Sequence, residues 1–133
     1  MSKLPVVAVV NTNPDLVELL KAKIEHAGFV VLVIHIEDIR KGLDIENVLE
    51  QHNPRVVVYD VVAPYDRSWR FLDHLRTATA FRGRKFVLTS PNPVNVHRVV
   101  GADETVYEIL GQDADLNTVV QAVREASKAR PTR

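Results

Sequence analysis

The fold of this chain is decided by the stretch RVVVYD, residues 55–60, with Pro64 four residues beyond its last aspartate. An uninterrupted run of Val and Tyr before a carboxylate is typical of a central parallel strand that is covered on both faces. In open α/β sheets, ligand chemistry collects beyond the carboxyl ends of the strands. Asp60, at the end of this strand, is therefore the first candidate for a functional residue.

Buried-type strands with polar ends recur along the chain. They are predicted at Leu4–Val10, Phe29–Ile34, Lys85–Ser90 and Thr105–Leu110, in addition to the strand that ends at Asp60. Apolar residues at helical spacing, together with capping residues, predict helices between the strands. These helices are predicted between Asn13 and Gly28, within His35–Asn53 (one interrupted helix or two short ones, with Gly42 as the break), at Ser68–Ala80, at Val94–Val100 and from Asp115 to Pro131.

This alternation of strands and helices predicts an α/β fold with right-handed crossovers. We expect a flavodoxin-like, doubly wound three-layer sandwich with a five-stranded parallel sheet of order 2-1-3-4-5. The chain of 133 residues is expected to form one domain, with its core at residues 5–127 and a basic tail at residues 128–133.

Composition excludes several classes of function. Lys plus Arg and Asp plus Glu each number 17, so no net charge attracts the chain to nucleic acid or a membrane surface. The absence of cysteine excludes disulfides and zinc–thiolate sites and suits a reducing compartment. No stretch approaches the roughly 20 apolar residues of a membrane span. We therefore expect a cytoplasmic protein with neither nucleic-acid nor membrane partners.

Polar residues also follow the predicted strands on either side of the Asp60 strand. Asn11, Thr12 and Asn13 follow the first strand. Thr89 lies near the end of the fourth, and Gln112 follows the fifth. Because parallel strands end at the same edge of a sheet, these residues are expected to form a pocket around Asp60.

The order of these residues resembles a response-regulator receiver domain, and the resemblance extends from Val6 to about Ser127. Asp60 matches the phosphoacceptor, Pro64 the proline that follows it, and Thr89 the switch hydroxyl. The resemblance implies phosphorelay signal transduction in a two-component system rather than an enzyme. It also implies a protein partner, which would be a histidine kinase, a phosphotransfer protein or an effector, or else a second copy of the chain in a homodimer.

The departures from the family pattern predict an atypical receiver. The family's acidic pair falls on Asn11 and Thr12, and its lysine falls on Gln112. Magnesium prefers carboxylate oxygens, of which this pocket supplies only Asp60 as a metal ligand. Gln112 can donate a hydrogen bond but cannot neutralise a phosphoryl group. We therefore expect weak Mg²⁺ binding at most, no other cofactor, and weak or absent Mg²⁺-dependent phosphorylation of Asp60.

Two alternative functions remain open from the sequence. A small-ligand-binding or enzymatic domain would use the same cleft of Asn11, Asp60 and Thr89, with a second carboxylate only at Asp15 or Asp66. A structural adaptor would keep the pocket as a vestige. The lack of a Gly-rich phosphate loop argues against a flavin or mononucleotide site. The preferred hypothesis is a stand-alone receiver that acts through protein–protein contacts.

Overall fold

The computed structural model describes residues 5–11, 14–76, 83–101, 106–111 and 116–128, and within these ranges it contains five strands and six helices. The strands are β1 (Val6–Asn11), β2 (Val30–His35), β3 (Val56–Asp60), β4 (Lys85–Ser90) and β5 (Val106–Gly111). The helices are α1 (Pro14–His26), α2 (Ile36–Arg40), α3 (Ile45–His52), α4 (Tyr65–Arg76), α5 (Pro93–Val100) and α6 (Leu116–Lys128).

The five strands form one parallel sheet of order β2-β1-β3-β4-β5, which confirms the predicted topology. Its register aligns the carboxyl ends of the central strands. Val10 of β1 is paired with Tyr59 of β3, and Asp60 of β3 is paired with Thr89 of β4. The polar strand ends therefore meet at one edge of the sheet, which we call the carboxyl edge.

Alternate residues of each strand pack on opposite faces of the sheet, because successive side chains of a strand point to opposite sides. Val56 and Val58 belong to a core with helices α1 and α6. Val57 and Tyr59 belong to a second core, which includes residues from α2, α3, α4 and α5. Both faces of β3 are thus buried, as the uninterrupted run of residues 56–59 (VVVY) predicts.

The stretch between β2 and β3 contains two short helices, α2 and α3, rather than one interrupted helix. Gly42 lies between them with φ of +106°, a backbone conformation that residues with a side chain rarely adopt. Asp44 then caps α3 by accepting a hydrogen bond from the backbone N–H of Asn47 at 3.2 Å. Gly42 is therefore the break that the sequence predicts.

Two helices begin earlier than the sequence predicts. Helix α4 starts at Tyr65 instead of Ser68, because the carbonyl of Pro64 already accepts the Ser68 N–H at 3.1 Å. The predicted continuation of this helix beyond Arg76 lies outside the described residues. Helix α5 includes Pro93 at its first position, where a missing N–H carries no cost. The predicted cap at Asp115 also lies outside the described residues.

The opposite edge of the sheet, which we call the amino edge, contains a buried arginine. Arg84 is 8% exposed and precedes β4. Its guanidinium donates to Asn53 Oδ1 at 2.9 Å, to the Pro54 carbonyl at 2.7 Å and to the Leu49 carbonyl at 3.3 Å. Burial lowers its pKa, and the nearby Glu50 carboxylate opposes that change. Arg84 thus fastens the end of α3 to the start of β4.

Among the residues that the structure describes, no helix has the length and apolar character required to cross a membrane.

Candidate functional site

The centre of the candidate site is a hydrogen bond between the ends of two adjacent strands. The Thr89 hydroxyl donates to Asp60 Oδ1 at 2.6 Å. Both residues are buried, with exposed fractions of 6% for Asp60 and 5% for Thr89. Backbone pairing continues past β3, since the Val61 N–H donates to the Thr89 carbonyl at 2.8 Å. The carboxylate is therefore held against β4 by both side-chain and backbone contacts.

The loop that leaves β4 is fixed by two short polar contacts. The Ser90 hydroxyl, which is fully buried, accepts a hydrogen bond from the Asn92 N–H at 3.1 Å. The Asn92 side chain in turn accepts from the Asn95 N–H at 3.2 Å and caps α5. This arrangement positions the start of α5 directly after the strand that carries Thr89.

The remaining predicted pocket residues are only partly covered by the structure. Asn11 is the last residue of β1 and follows Val10, the partner of Tyr59, so its backbone lies at the carboxyl edge. Thr12, Asn13 and Gln112 lie outside the described residues. The structure therefore brings Asp60 and Thr89 together and places the Asn11 backbone at the same edge.

The potential metal ligands at this edge can be compared with those of a dedicated metal centre. Within the ranges that the structure describes, no three His, Cys, Asp or Glu side chains come together as a metal-binding group. Magnesium is bound by one or two carboxylates in near-octahedral geometry, usually together with phosphate and water ligands. Asp60 is the one carboxylate among the pocket residues that the sequence predicts, so weak Mg²⁺ binding stays a prediction.

Solved structures similar to this chain include response-regulator receiver domains and a sensor protein. A sensor protein from Polaromonas sp. JS666 matches with a TM-score of 0.73 and 18% identity, over 92% of this chain and 95% of that chain. A response regulator from Thermotoga maritima matches with a TM-score of 0.72 and 16% identity, over 96% and 100% of the two chains.

A CheY-like response regulator receiver domain from Methylobacillus flagellatus matches with a TM-score of 0.67 and 17% identity, over 93% of this chain and 99% of that chain. The chain has the fold of response-regulator receiver domains. No family model matches the sequence, and no curated protein matches it either. The likeness is therefore one of structure at low sequence identity.

Beside Asp60, this receiver fold contains a cleft that the sequence does not reveal. The cleft has a volume of about 250 Å³. Its lining residues come from α2, from the end of β3 and from the segment that begins α4: Ile36, Arg40, Tyr59, Asp60, Val62, Ala63, Pro64, Arg67, Ser68 and Phe71. Arg40 and Arg67 were missed because they lie far apart in sequence and outside any strand-end pattern.

Tyr59 contributes a buried hydroxyl to this cleft. Burial raises the pKa of Tyr59 to about 12, while a hydrogen bond with Ser68 and the charge of Arg40 act in the opposite direction. The Asp60 carboxylate adds a smaller upward effect. At neutral pH the Tyr59 hydroxyl therefore stays protonated, close to a guanidinium, a serine hydroxyl and a carboxylate.

Proposed function

We propose that this chain is an atypical receiver domain of two-component signal transduction, with Asp60 as its phosphoacceptor candidate. The observation that carries the proposal is the buried Asp60–Thr89 hydrogen bond of 2.6 Å at the carboxyl edge of a receiver fold. In such a domain, the threonine hydroxyl on the next strand would lie within reach of a phosphoryl group carried by the aspartate.

The same proposal assigns little catalytic power to the pocket. Phosphoryl transfer depends on positioning and on compensation of the phosphoryl charge. With Asn11 and Thr12 in place of an acidic pair and Gln112 in place of a lysine, both the metal ligands and the pairing cation are replaced by neutral groups. Mg²⁺-dependent phosphorylation is therefore weak or absent, and Mg²⁺ is at most a weakly held ligand of Asp60.

Signalling in this proposal occurs through contact with a protein rather than through catalysis on a small substrate. The solved structures with the same fold include a sensor protein and response regulators, which supports a kinase, phosphotransfer or effector protein as the partner class. A ligand shifts a conformational equilibrium only by its differential affinity for the two states. With Gln112 in place of the family's lysine, a phosphoryl group would shift it little, so partner binding depends chiefly on the resting conformation.

The test is to incubate the chain with a small acyl phosphate, with and without Mg²⁺, and to measure phosphoryl occupancy by intact-mass spectrometry. We expect low occupancy in the wild type, little gain with Mg²⁺, and none in Asp60→Asn. Rapid, Mg²⁺-dependent and complete phosphorylation of Asp60 would show that the pocket is fully active. Occupancy that persists in Asp60→Asn would remove Asp60 from its assigned role.

A further inference from the structure

The cleft beside Asp60 brings together positive charge from two different helices. Arg40 is the last residue of α2, and Arg67 lies in the first turn of α4. Both side chains are exposed and both line the cleft, which also reaches Asp60. Two guanidiniums and the Tyr59 and Ser68 hydroxyls therefore border one space of about 250 Å³.

The contacts of Arg40 orient its guanidinium but do not use all of its N–H donors. Its Nη1 donates to Glu37 Oε1 at 3.1 Å, and its guanidinium carbon lies 5.7 Å from the centroid of the Phe71 ring. A guanidinium has five N–H donors in a planar fork, so one contact to a carboxylate leaves others for a ligand. Exposed ion pairs such as Arg40–Glu37 are weak, and a better acceptor can displace them.

The charges around Arg67 also favour an anion. The neighbouring carboxylate, Asp66, is engaged by Arg70 Nη2 at 3.2 Å, one turn further along α4. Arg67 also lies in the first turn of its helix, where the backbone adds partial positive charge. Helix α4 therefore pairs its first acidic residue with Arg70 and directs Arg67 to the cleft.

We propose that this cleft binds a phosphoryl oxyanion, with Arg40 and Arg67 as its cationic ligands. Bidentate contacts of arginine with phosphate oxygens are among the strong hydrogen bonds of proteins. The apolar wall at Val62, Pro64 and Phe71 suits a phosphate that carries a small apolar or aromatic group. The inference goes beyond the proposed function, because binding needs neither a partner protein nor phosphorylation of Asp60.

The test is a titration of the full chain with phenyl phosphate at low ionic strength, followed by calorimetry and by the arginine Nε–H signals in NMR spectra. We expect a dissociation constant of about 1 mM or lower, and weaker binding at higher salt because charge interactions are screened. Arg40→Gln and Arg67→Gln should each weaken binding by about fivefold or more, and the double variant should abolish it.

The matched control is Arg124→Gln, the same change at an exposed arginine of α6, which packs on the other face of the sheet, and this variant should stay within about twofold of the wild type. Arg67→Lys keeps the charge and should recover part of the affinity lost in Arg67→Gln. Circular dichroism verifies that each variant is folded. The proposal is overturned if the wild type does not bind phenyl phosphate in the millimolar range, if the double variant binds like the wild type, or if Arg124→Gln binds as weakly as the cleft variants.

A second arm separates a free phosphate ligand from a phosphoryl group carried by Asp60. Asp60→Asn cannot carry that group and should bind phenyl phosphate at least as tightly as the wild type, because a negative charge next to the cleft is removed. A loss of binding in the folded Asp60→Asn variant contradicts the proposal. This arm gives its answer even if Asp60 is never phosphorylated, so it is independent of the proposed function.

Discussion

Two buried charged side chains lie at opposite edges of the same sheet, and their surroundings differ. Arg84, at the amino edge, donates to the Pro54 and Leu49 carbonyls and to the Asn53 side chain. Asp60, at the carboxyl edge, accepts from the Thr89 hydroxyl and borders an open cleft. The arginine is enclosed by fixed backbone acceptors, whereas the aspartate faces space that a ligand can enter.

This difference separates a buried charge that joins two segments of the fold from a buried charge that borders a cleft. A buried charge is tolerated when its hydrogen-bonding groups are satisfied within the fold. Arg84 meets that condition with acceptors on the two segments that it joins. Asp60 shares its edge with loops and with the guanidiniums of Arg40 and Arg67, and these are groups that an added anion could contact.

The largest effect is expected at the amino edge, from Arg84→Met. The change removes the donors to Asn53 and Pro54 and leaves a buried carbonyl at Pro54 without its partner. Loss of such a partner costs about 1–3 kcal/mol for each buried group, so we expect destabilisation of about 3 kcal/mol. Urea unfolding measures it, with Arg55→Met, an exposed arginine next to Pro54, as the control. An equal loss of unfolding free energy in both variants would contradict the role of Arg84 in joining α3 to β4.

The second prediction tests whether the Asp60–Thr89 contact also stabilises the fold. Thr89→Val keeps the shape of the side chain but removes the donor to a buried carboxylate. We expect destabilisation of about 2 kcal/mol, since hydrogen bonds to charged groups contribute roughly 1.5–3 kcal/mol. Thermal and urea unfolding measure the change, and Thr118→Val, on the exposed side of α6, is the matched control. A cost no larger than that of the control would mean that this contact contributes nothing to stability.

The third prediction tests the carboxyl edge by adding two negative charges there. Asn11→Asp combined with Thr12→Asp restores the acidic pair that receiver domains use for magnesium. We expect Mg²⁺ affinity to rise by about tenfold or more from a wild-type dissociation constant of about 1 mM or weaker, because carboxylates are the preferred ligands. Calorimetric titration measures both values. Micromolar binding by the wild type would contradict the expectation drawn from its neutral residues.

The sequence was sufficient to predict the sheet because its signals are local. An uninterrupted apolar strand such as Val56–Tyr59, followed by a polar residue, indicates both a parallel sheet and the edge where that sheet presents its chemistry. The strand order makes β3 and β4 neighbours, and their register pairs Asp60 with Thr89. Their contact was therefore predictable once the order 2-1-3-4-5 was assigned.

The cleft and the contacts of Arg84 could not be predicted because both depend on how separate segments pack. Arg40 ends a short helix shortly before the break at Gly42, and Arg67 lies in the first turn of a helix that starts at Tyr65 rather than Ser68. In the sequence, Arg84 resembles a surface arginine before a strand. Its burial depends on the end of α3, which packs against it in the fold. Periodicity identifies elements, but it does not identify which side chains meet between them.

The smallest effect is expected from Asp60→Asn, the change that removes the charge while keeping the shape. The amide oxygen of the new side chain can still accept from the Thr89 hydroxyl, which donates to Oδ1 in the wild type. We expect the free energy of unfolding to change by less than about 1 kcal/mol, with a rise if the buried carboxylate is costly. Thermal melting measures this change, and Asp66→Asn on the exposed surface of α4 is the control.

The same variant shows whether the partner responds to phosphate or to the resting conformation. Because Gln112 cannot form the ion pair that the family's lysine makes, we expect phosphorylation to shift the conformational equilibrium little, and folded Asp60→Asn should capture the same partners as the wild type. Pull-down with both proteins compares them at matched concentration. Complete loss of a partner by the folded variant would identify Asp60 as an active phosphoacceptor, because the Thr89 contact and the shape of the pocket are otherwise preserved. The two buried charges would then differ in kind: Arg84 would hold the fold, and Asp60 would control the signal.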